Sequence, residues 1–218
     1  MASLELKLCG LRESVHVDAA IRAGATHIGL VRFPRSPRHV SLDEGTALAR
    51  QAGGRAKVVV VTVDATDDEI ARIVDWIAPD MIQLHGRETP ERVADVRRST
   101  GLPVIKASAI RDADDLTRSM AYATVADALL LDARPPEGSN LPGGNGVGFD
   151  WRLLEGFAPD VPWFLSGGLR AENVVAAATT AASGLDLSSG IEDAPGQKSI
   201  ARIEAVGRAL RAVRDDRP

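Results

Sequence analysis

The sequence predicts an α/β fold, a single closed (β/α)8 barrel spanning residues 1–218, and two observations carry that expectation. Strand-like and helix-like segments alternate eight times with no low-complexity linker, the pattern of a parallel sheet joined by helical crossovers. Near the C-terminus, Ser166-Gly167-Gly168-Leu169 and Leu187-Ser188-Ser189-Gly190-Ile191 each follow a short apolar strand, about twenty residues apart. Paired loops of this kind after the seventh and eighth strands of such a barrel hold a phosphate. Small residues there let backbone N–H groups approach an anion. A phosphorylated ligand is therefore expected between Gly167-Gly168 and Ser188-Ser189-Gly190, facing a short helix that begins near Ser189. The competing architecture is an open doubly wound sheet. Against it, the first strand runs into Cys9-Gly10-Leu11-Arg12 and not into a three-glycine dinucleotide loop.

The elements follow in order. In the first strand, Leu4–Cys9, the alternation places Leu4, Leu6 and Leu8 against the helices and turns Glu5, Lys7 and Cys9 inward. Helix Ser14–Ala23, strand His27–Val31 and helix Leu42–Gln51 come next. The valine-rich run Lys57–Val63 is the third strand, and in helix Asp67–Ile77 the residues Ile70, Ile73, Val74 and Ile77 trace one apolar face. Strand Met81–His85 groups Gln83 with His85, and Pro90 suits the first turn of helix Pro90–Ser99. Strand Val104–Ala107 and helix Asp112–Ala121 form the fifth unit. On the sixth strand, Ala128–Asp132, the residues Ala128, Leu130 and Asp132 share a face, and helix Trp151–Phe157 follows. Strand Trp163–Leu165 with helix Asn173–Ala182, and strand Leu185–Leu187 with helix Ser199–Val213, complete the series. Asp186 shares its face with Ser188. Polar residues at the ends of barrel strands meet at the catalytic face, so Cys9, His85, Asp132 and Asp186 are expected around one pocket.

Composition narrows the class. A hydrophobic content of 44% supports a sizeable core, and no segment reaches the about 20 apolar residues of a membrane span. The start, Met-Ala-Ser-Leu-Glu-Leu-Lys, has no basic region before an apolar stretch, so no signal peptide is read. One cysteine rules out an internal disulfide and suits a reducing compartment, hence a cytoplasmic protein. A net charge of −4 without a basic run argues against a nucleic-acid surface. A monomer is expected, with a homodimer as the alternative.

The chain resembles the phosphoribosylanthranilate isomerase family of tryptophan biosynthesis along nearly its whole length. The resemblance is carried by Lys7-Leu8-Cys9-Gly10, Gly29-Leu30-Val31, Ser36-Pro37-Arg38-His39-Val40-Ser41, Gln83-Leu84-His85-Gly86 and Leu131-Asp132-Ala133. It continues through Gly143-Gly144-Asn145-Gly146, Phe149-Asp150-Trp151, Leu165-Ser166-Gly167-Gly168-Leu169 and Asp186-Leu187-Ser188-Ser189-Gly190-Ile191-Glu192. It implies a (β/α)8 barrel, an Amadori rearrangement of a phosphoribosylated arylamine, and neither metal nor organic cofactor. It places the general base on Cys9, the general acid on Asp132 and the partner of the anthranilate carboxylate on Arg38. Gln83, His85, Gly167, Gly168, Asp186, Ser188, Ser189 and Gly190 are then substrate-binding residues.

The implied chemistry sets opposite demands on two groups. A thiol takes up a proton only as thiolate, so Cys9 needs a pKa lowered by nearby cations or donors. Asp132 needs a raised one, most simply by partial burial. Each residue also has a plainer reading. Cys9 could be a small buried apolar residue, Asp132 a turn cap, His85 a hydrogen-bonded core histidine. Lys7 could pair with Glu5 or Asp186, or favour the thiolate. Any one of Arg32, Arg35 and Arg38 could be part of a solvated basic loop. Segment 133–148, rich in Gly and Pro, reads as a mobile loop over the site.

The sequence departs from the family's usual pattern at Leu8, Leu11, Arg12, Arg32, His39, Asn145 and Ser199, none of which is the implied acid or base. Two other functions fit the barrel. One is the sister aminoaldose isomerase of histidine biosynthesis, or an enzyme serving both pathways, whose chemistry resembles one run by paired aspartates. The other is a non-catalytic phosphosugar-binding protein.

Overall fold

The computed structural model describes residues 4–133, 146 and 148–215, with side chains described to residue 211. The strands are β1 (Glu5–Cys9), β2 (His27–Arg32), β3 (Lys57–Thr62), β4 (Met81–Leu84), β5 (Val104–Ile110), β6 (Ala128–Ala133), β7 (Trp163–Leu165) and β8 (Gly184–Leu187). They pair in parallel in chain order, and β8 returns to β1 with Lys7 opposite Asp186, closing the barrel. The helices are α1 (Ser14–Arg22), α2 (Leu42–Ala52), α3 (Asp67–Ile77), α4 (Pro90–Thr100), α5 (Ala113–Ser119), α6 (Val174–Ala177) and α7 (Ile200–Asp215).

Local chemistry sets several of these boundaries. Ser41 and Thr66 open α2 and α3 with reciprocal capping boxes to Glu44 and Glu69. Thr89 caps α4, and Pro90 occupies its first turn, where a missing N–H costs nothing. Gly101 ends α4 in the left-handed conformation, at φ 67°.

Two of the expected helices are shorter than the sequence implies. The stretch after β6 forms only a 3₁₀ turn, Trp151–Leu154, because Gly156 at φ 77° turns the chain away. In the seventh unit α6 is a single turn. The Thr179 and Thr180 hydroxyls donate to the carbonyls three residues back, competing with helical hydrogen bonds. A hairpin that the sequence does not announce follows β8, with β9 (Glu192–Ala194) antiparallel to β10 (Gln197–Lys198).

The strand parity read from the first strand holds. Leu4, Leu6 and Leu8 join the core between sheet and helices. Inside the barrel, Val59, Ile105, Leu130 and Phe164 belong to a separate apolar layer contributed by β3 to β7. Around β8, β1 and β2 the interior is instead polar, with Lys7, His27 and Asp186 all buried. Gly184 makes room for Phe164, whose ring carbon would lie 2.5 Å from any Cβ there. No described helix is long and apolar enough to cross a membrane.

His27 gives the fold an acid-sensitive element. Its Nδ1 lies 2.9 Å from the Thr26 hydroxyl, and its ring meets Phe164 edge-on. Burial, with Lys57 and Lys7 adding to it, lowers its pKa to about 4. The unfolded chain takes up a proton near 6.5 that the native ring refuses, so this contribution is whole above that pH and is lost as pH falls toward about 4. The shift corresponds to up to about 3 kcal/mol. Urea midpoints measured at neutral pH and near pH 4.5 should therefore fall less in His27→Asn than in the wild type. Equal falls would show that His27 is not responsible.

Candidate active site

β1 carries Cys9 to the C-terminal mouth of the barrel, where it is buried beside Val31 and Val61. Its sulfur lies against Gly29 of β2, where a Cβ would approach Sγ to 2.5 Å. That glycine clears the space for the thiol. One layer below, Lys7 is fully buried with Nζ 2.8 Å from Asp186 Oδ1, and the Ser166 hydroxyl donates to Asp186 Oδ2 at 3.2 Å. Of the two carboxylates open to Lys7 in the sequence, Asp186 is the partner. Burial opposes the lysine's charge, but Asp186 and Cys9 outweigh it and hold Lys7 above the usual lysine value.

The thiol differs from expectation. Burial pushes Cys9 up; Lys7 and Lys198 pull it down, and Asp186 adds to the rise. The cations that a thiolate needs are in place, yet desolvation prevails and the direction is upward rather than downward.

Another wall is built by β4 and β6. Gln83 Nε2 lies 2.9 Å from His85 Nδ1, and His85 Nε2 lies 3.4 Å from Asp132 Oδ2. The Ala133 N–H donates to Asp132 Oδ1 at 2.9 Å. The Gln83 amide oxygen is buried with no hydrogen-bond partner among the described residues. His85 is thus both hydrogen-bonded and in the pocket, which joins the two readings of it.

At the other end, Gly167 (φ 90°) and Gly168 (φ 64°) are in conformations that favour glycine. A Cβ on Gly167 would meet the Ala133 backbone nitrogen at 2.7 Å. Gly190 does not line the pocket. Its backbone packs on the Leu169 carbonyl so closely that a Cβ would be 1.8 Å from that oxygen. These glycines are needed by the backbone before any ligand arrives. The helix expected at Ser189 is one 3₁₀ turn, Ser189–Ile191.

Arg38 is buried at the pocket edge, its Nε and Nη2 forked onto Glu192 at 2.8 and 2.7 Å. A ligand carboxylate would share the guanidinium with Glu192. Glu192 also accepts from Lys198 Nζ at 2.7 Å. Burial disfavours its charge, but Arg38 and Lys198 keep its carboxyl below the ordinary range. Burial brings Lys198 itself down to about 8 against the pull of Glu192.

One pocket therefore collects Cys9, Arg38, Gln83, His85, Asp132, Gly167, Gly168, Asp186, Ser188 and Ser189. Sequence reasoning missed its apolar lining of Val31, Phe33, Val61 and Val63. Inward parity at the ends of the second and third strands was the available signal for the first and third of these. It also missed the contacts of Lys198 with Glu192 and Ser188, because this lysine lies in a hairpin too short to show any periodicity. The segment Gly143-Gly144-Asn145 and the rest of residues 134–145 lie outside the described residues. Gly146 lines the pocket.

Comparison with known proteins agrees along the chain. A family model described as N-(5′phosphoribosyl)anthranilate (PRA) isomerase matches residues 6–208. An N-(5′-phosphoribosyl)anthranilate isomerase of Rhizobium meliloti (strain 1021) is 50% identical over 208 residues, covering 95% of this chain and 97% of that protein. The Brucella canis protein of that name is 50% identical over 209 residues, 95% of this chain and 94% of its own. Among solved structures, the phosphoribosyl anthranilate isomerase of Thermus thermophilus superposes with a TM-score of 0.85 at 29% identity, covering 96% of this chain and all of that one. An enzyme of the same name in complex with reduced 1-(o-carboxyphenylamino)-1-deoxyribulose 5-phosphate gives 0.83 at 25% identity, covering 96% and 99%.

Proposed function

This chain belongs to the N-(5′-phosphoribosyl)anthranilate isomerase family, and on that premise we propose that Cys9 and Asp132 divide the proton transfers of its Amadori rearrangement. The enzyme converts N-(5-phosphoribosyl)anthranilate to 1-(2-carboxyphenylamino)-1-deoxyribulose 5-phosphate in tryptophan biosynthesis. Asp132 gives its proton to the furanose ring oxygen as the C1–O bond breaks, and the nitrogen lone pair forms the C1 imine. The Cys9 thiolate then takes the C2 proton. The C2–H electrons form the C1–C2 double bond of an enolamine, which tautomerises to the C2 ketone with a proton added at C1. The observation that carries this division is one buried pocket lined by both groups, from strands β1 and β6, three places apart around the closed ring.

The substrate's two anionic ends fix its direction. The 5-phosphate lies at Gly167-Gly168 and Ser188-Ser189, held by backbone N–H groups. The anthranilate ring lies on the apolar surface of Val31, Phe33 and Val61, with its carboxylate on Arg38. Gln83, His85 and Asp186 position the sugar between them. Loss of the guanidinium in Arg38→Ala should raise KM by about 10- to 100-fold, the worth of a charge-assisted hydrogen bond. Decay of substrate fluorescence reads this directly. An unchanged KM would move the carboxylate elsewhere and favour Arg32 or Arg35.

The chain acts as one domain and as a monomer in this reading. Among the described residues, the exposed large apolar side chains, Val15, Trp76, Met120, Val175 and Ile200, are distributed over five different elements. Sedimentation of the purified chain as a dimer would contradict the monomer.

A further inference from the structure

Glu192 and Lys198 do not line the pocket and have no step in the proton transfers, yet both are buried beside it, 8% and 7% exposed. They face each other across the β9–β10 hairpin, just past a β-bulge where the register shifts. Glu192 Oε1 receives both Arg38 Nε and Lys198 Nζ, while Oε2 receives Arg38 Nη2. Lys198 Nζ also donates to the Ser188 carbonyl at 2.9 Å and lies 3.4 Å from the Ser188 hydroxyl. The hairpin turn is seated as well, since a Cβ on Gly196 would lie 2.5 Å from the Pro37 carbonyl oxygen, next to Arg38. One carboxylate thus joins the Arg38 guanidinium at the pocket edge to an ammonium that grips the strand–turn junction after β8.

We propose that Glu192 and Lys198 are a positioning pair that couples the carboxylate end of the substrate site, through Arg38, to the phosphate end, through Ser188. The inference rests on the assignment of those two ends made above. The chemistry works in both directions. Glu192 alone would neutralise Arg38 and hold its fork away from a ligand anion. Lys198 shares Glu192, so the three side chains together carry one positive charge, and the anion sites on either side both gain from it. Lys198 also ties Ser188 by its carbonyl, so the following turn presents Ser189 to the phosphate in one conformation. Neither residue has a step in the proton transfers, so the effect belongs in binding.

The test measures the binding of inorganic phosphate and, separately, of anthranilate to the folded full chain by calorimetric titration. Lys198→Met should weaken both probes by about tenfold or more, the scale of a buried charge-assisted contact. Lys198→Arg, which keeps the charge, should recover most of the loss. Glu192→Gln leaves the cluster one unit more positive but turns an NH₂ or a less basic oxygen toward Arg38 and Lys198; if positioning outweighs charge, anthranilate should weaken at least as much as phosphate. In turnover the loss common to both variants should appear in KM; Lys198→Met also removes a cation that lowers the Cys9 thiol, so its kcat does not discriminate. A merely structural pair would lower the melting temperature and leave the affinities of the folded protein untouched. Affinities within twofold of wild type in Lys198→Met, or a loss confined to one probe, would overturn the proposal. Should Lys198→Met not fold, Glu192→Gln decides by the same two titrations. Failure of the underlying assignment has a different signature, because Arg38→Ala would then leave anthranilate binding unchanged. If Arg38→Ala weakens it and Lys198→Met does not, only the coupling fails.

Discussion

Cys9→Ala is expected to abolish turnover while substrate still binds. The C2 proton then has no base, and loss of a general base costs about 10² to 10⁴ in rate. The variant should otherwise be well tolerated. Sγ already occupies a space cleared by Gly29, and Lys7 keeps its contact with Asp186. With substrate affinity assigned to Arg38 and to the glycine and serine loops in the proposal above, KM or competition by inorganic phosphate should change little. The wild type carries a further mark of the thiol. Burial raises its pKa, so the rising limb of kcat/KM against pH should extend above the usual cysteine range, and it should be missing from Cys9→Ala. A Cys9→Ala enzyme with wild-type kcat would assign the base elsewhere.

Asp132→Asn should lose kcat to a similar extent, about 10² to 10⁴. The amide can still lie between the Ala133 N–H and His85, contacts of 2.9 and 3.4 Å in the wild type, so the fold and the pocket shape survive. What it lacks is a proton to give to the ring oxygen, and ring opening stalls. Retention of the wild-type rate would remove Asp132 from the mechanism.

Much of this was legible because the signals were local. The alternation of Leu4, Leu6 and Leu8 with Lys7 and Cys9 declared which side chains enter the barrel, and the strand-end positions of Gly167-Gly168 and Ser188-Ser189 declared that they meet at one pocket. Pairings across the chain were not legible. Arg38 and Glu192 are 154 positions apart, and only barrel closure followed by the β9–β10 hairpin brings them together. The upward direction of the Cys9 thiol follows from burial, which depends on how closely the barrel packs and not on the identity of its neighbours in sequence. The short helix of the seventh unit, α6, was obscured for a different reason. Its alanines favour helix, whereas the Thr179 and Thr180 hydroxyls redirect the carbonyls that would have continued it.

The most direct test of the whole account follows phosphoribosylanthranilate fluorescence with wild type and Cys9→Ser at equal concentrations of folded protein. Serine preserves the shape of the site and a hydroxyl that can hydrogen-bond, but it ionises far less readily than a thiol. The wild type should extinguish the fluorescence, and Cys9→Ser should be slowed by about 10² or more, almost as far as Cys9→Ala. A wild type that leaves the fluorescence unchanged, or a serine variant that matches it, would contradict the claim that this pocket isomerises phosphoribosylanthranilate through Cys9.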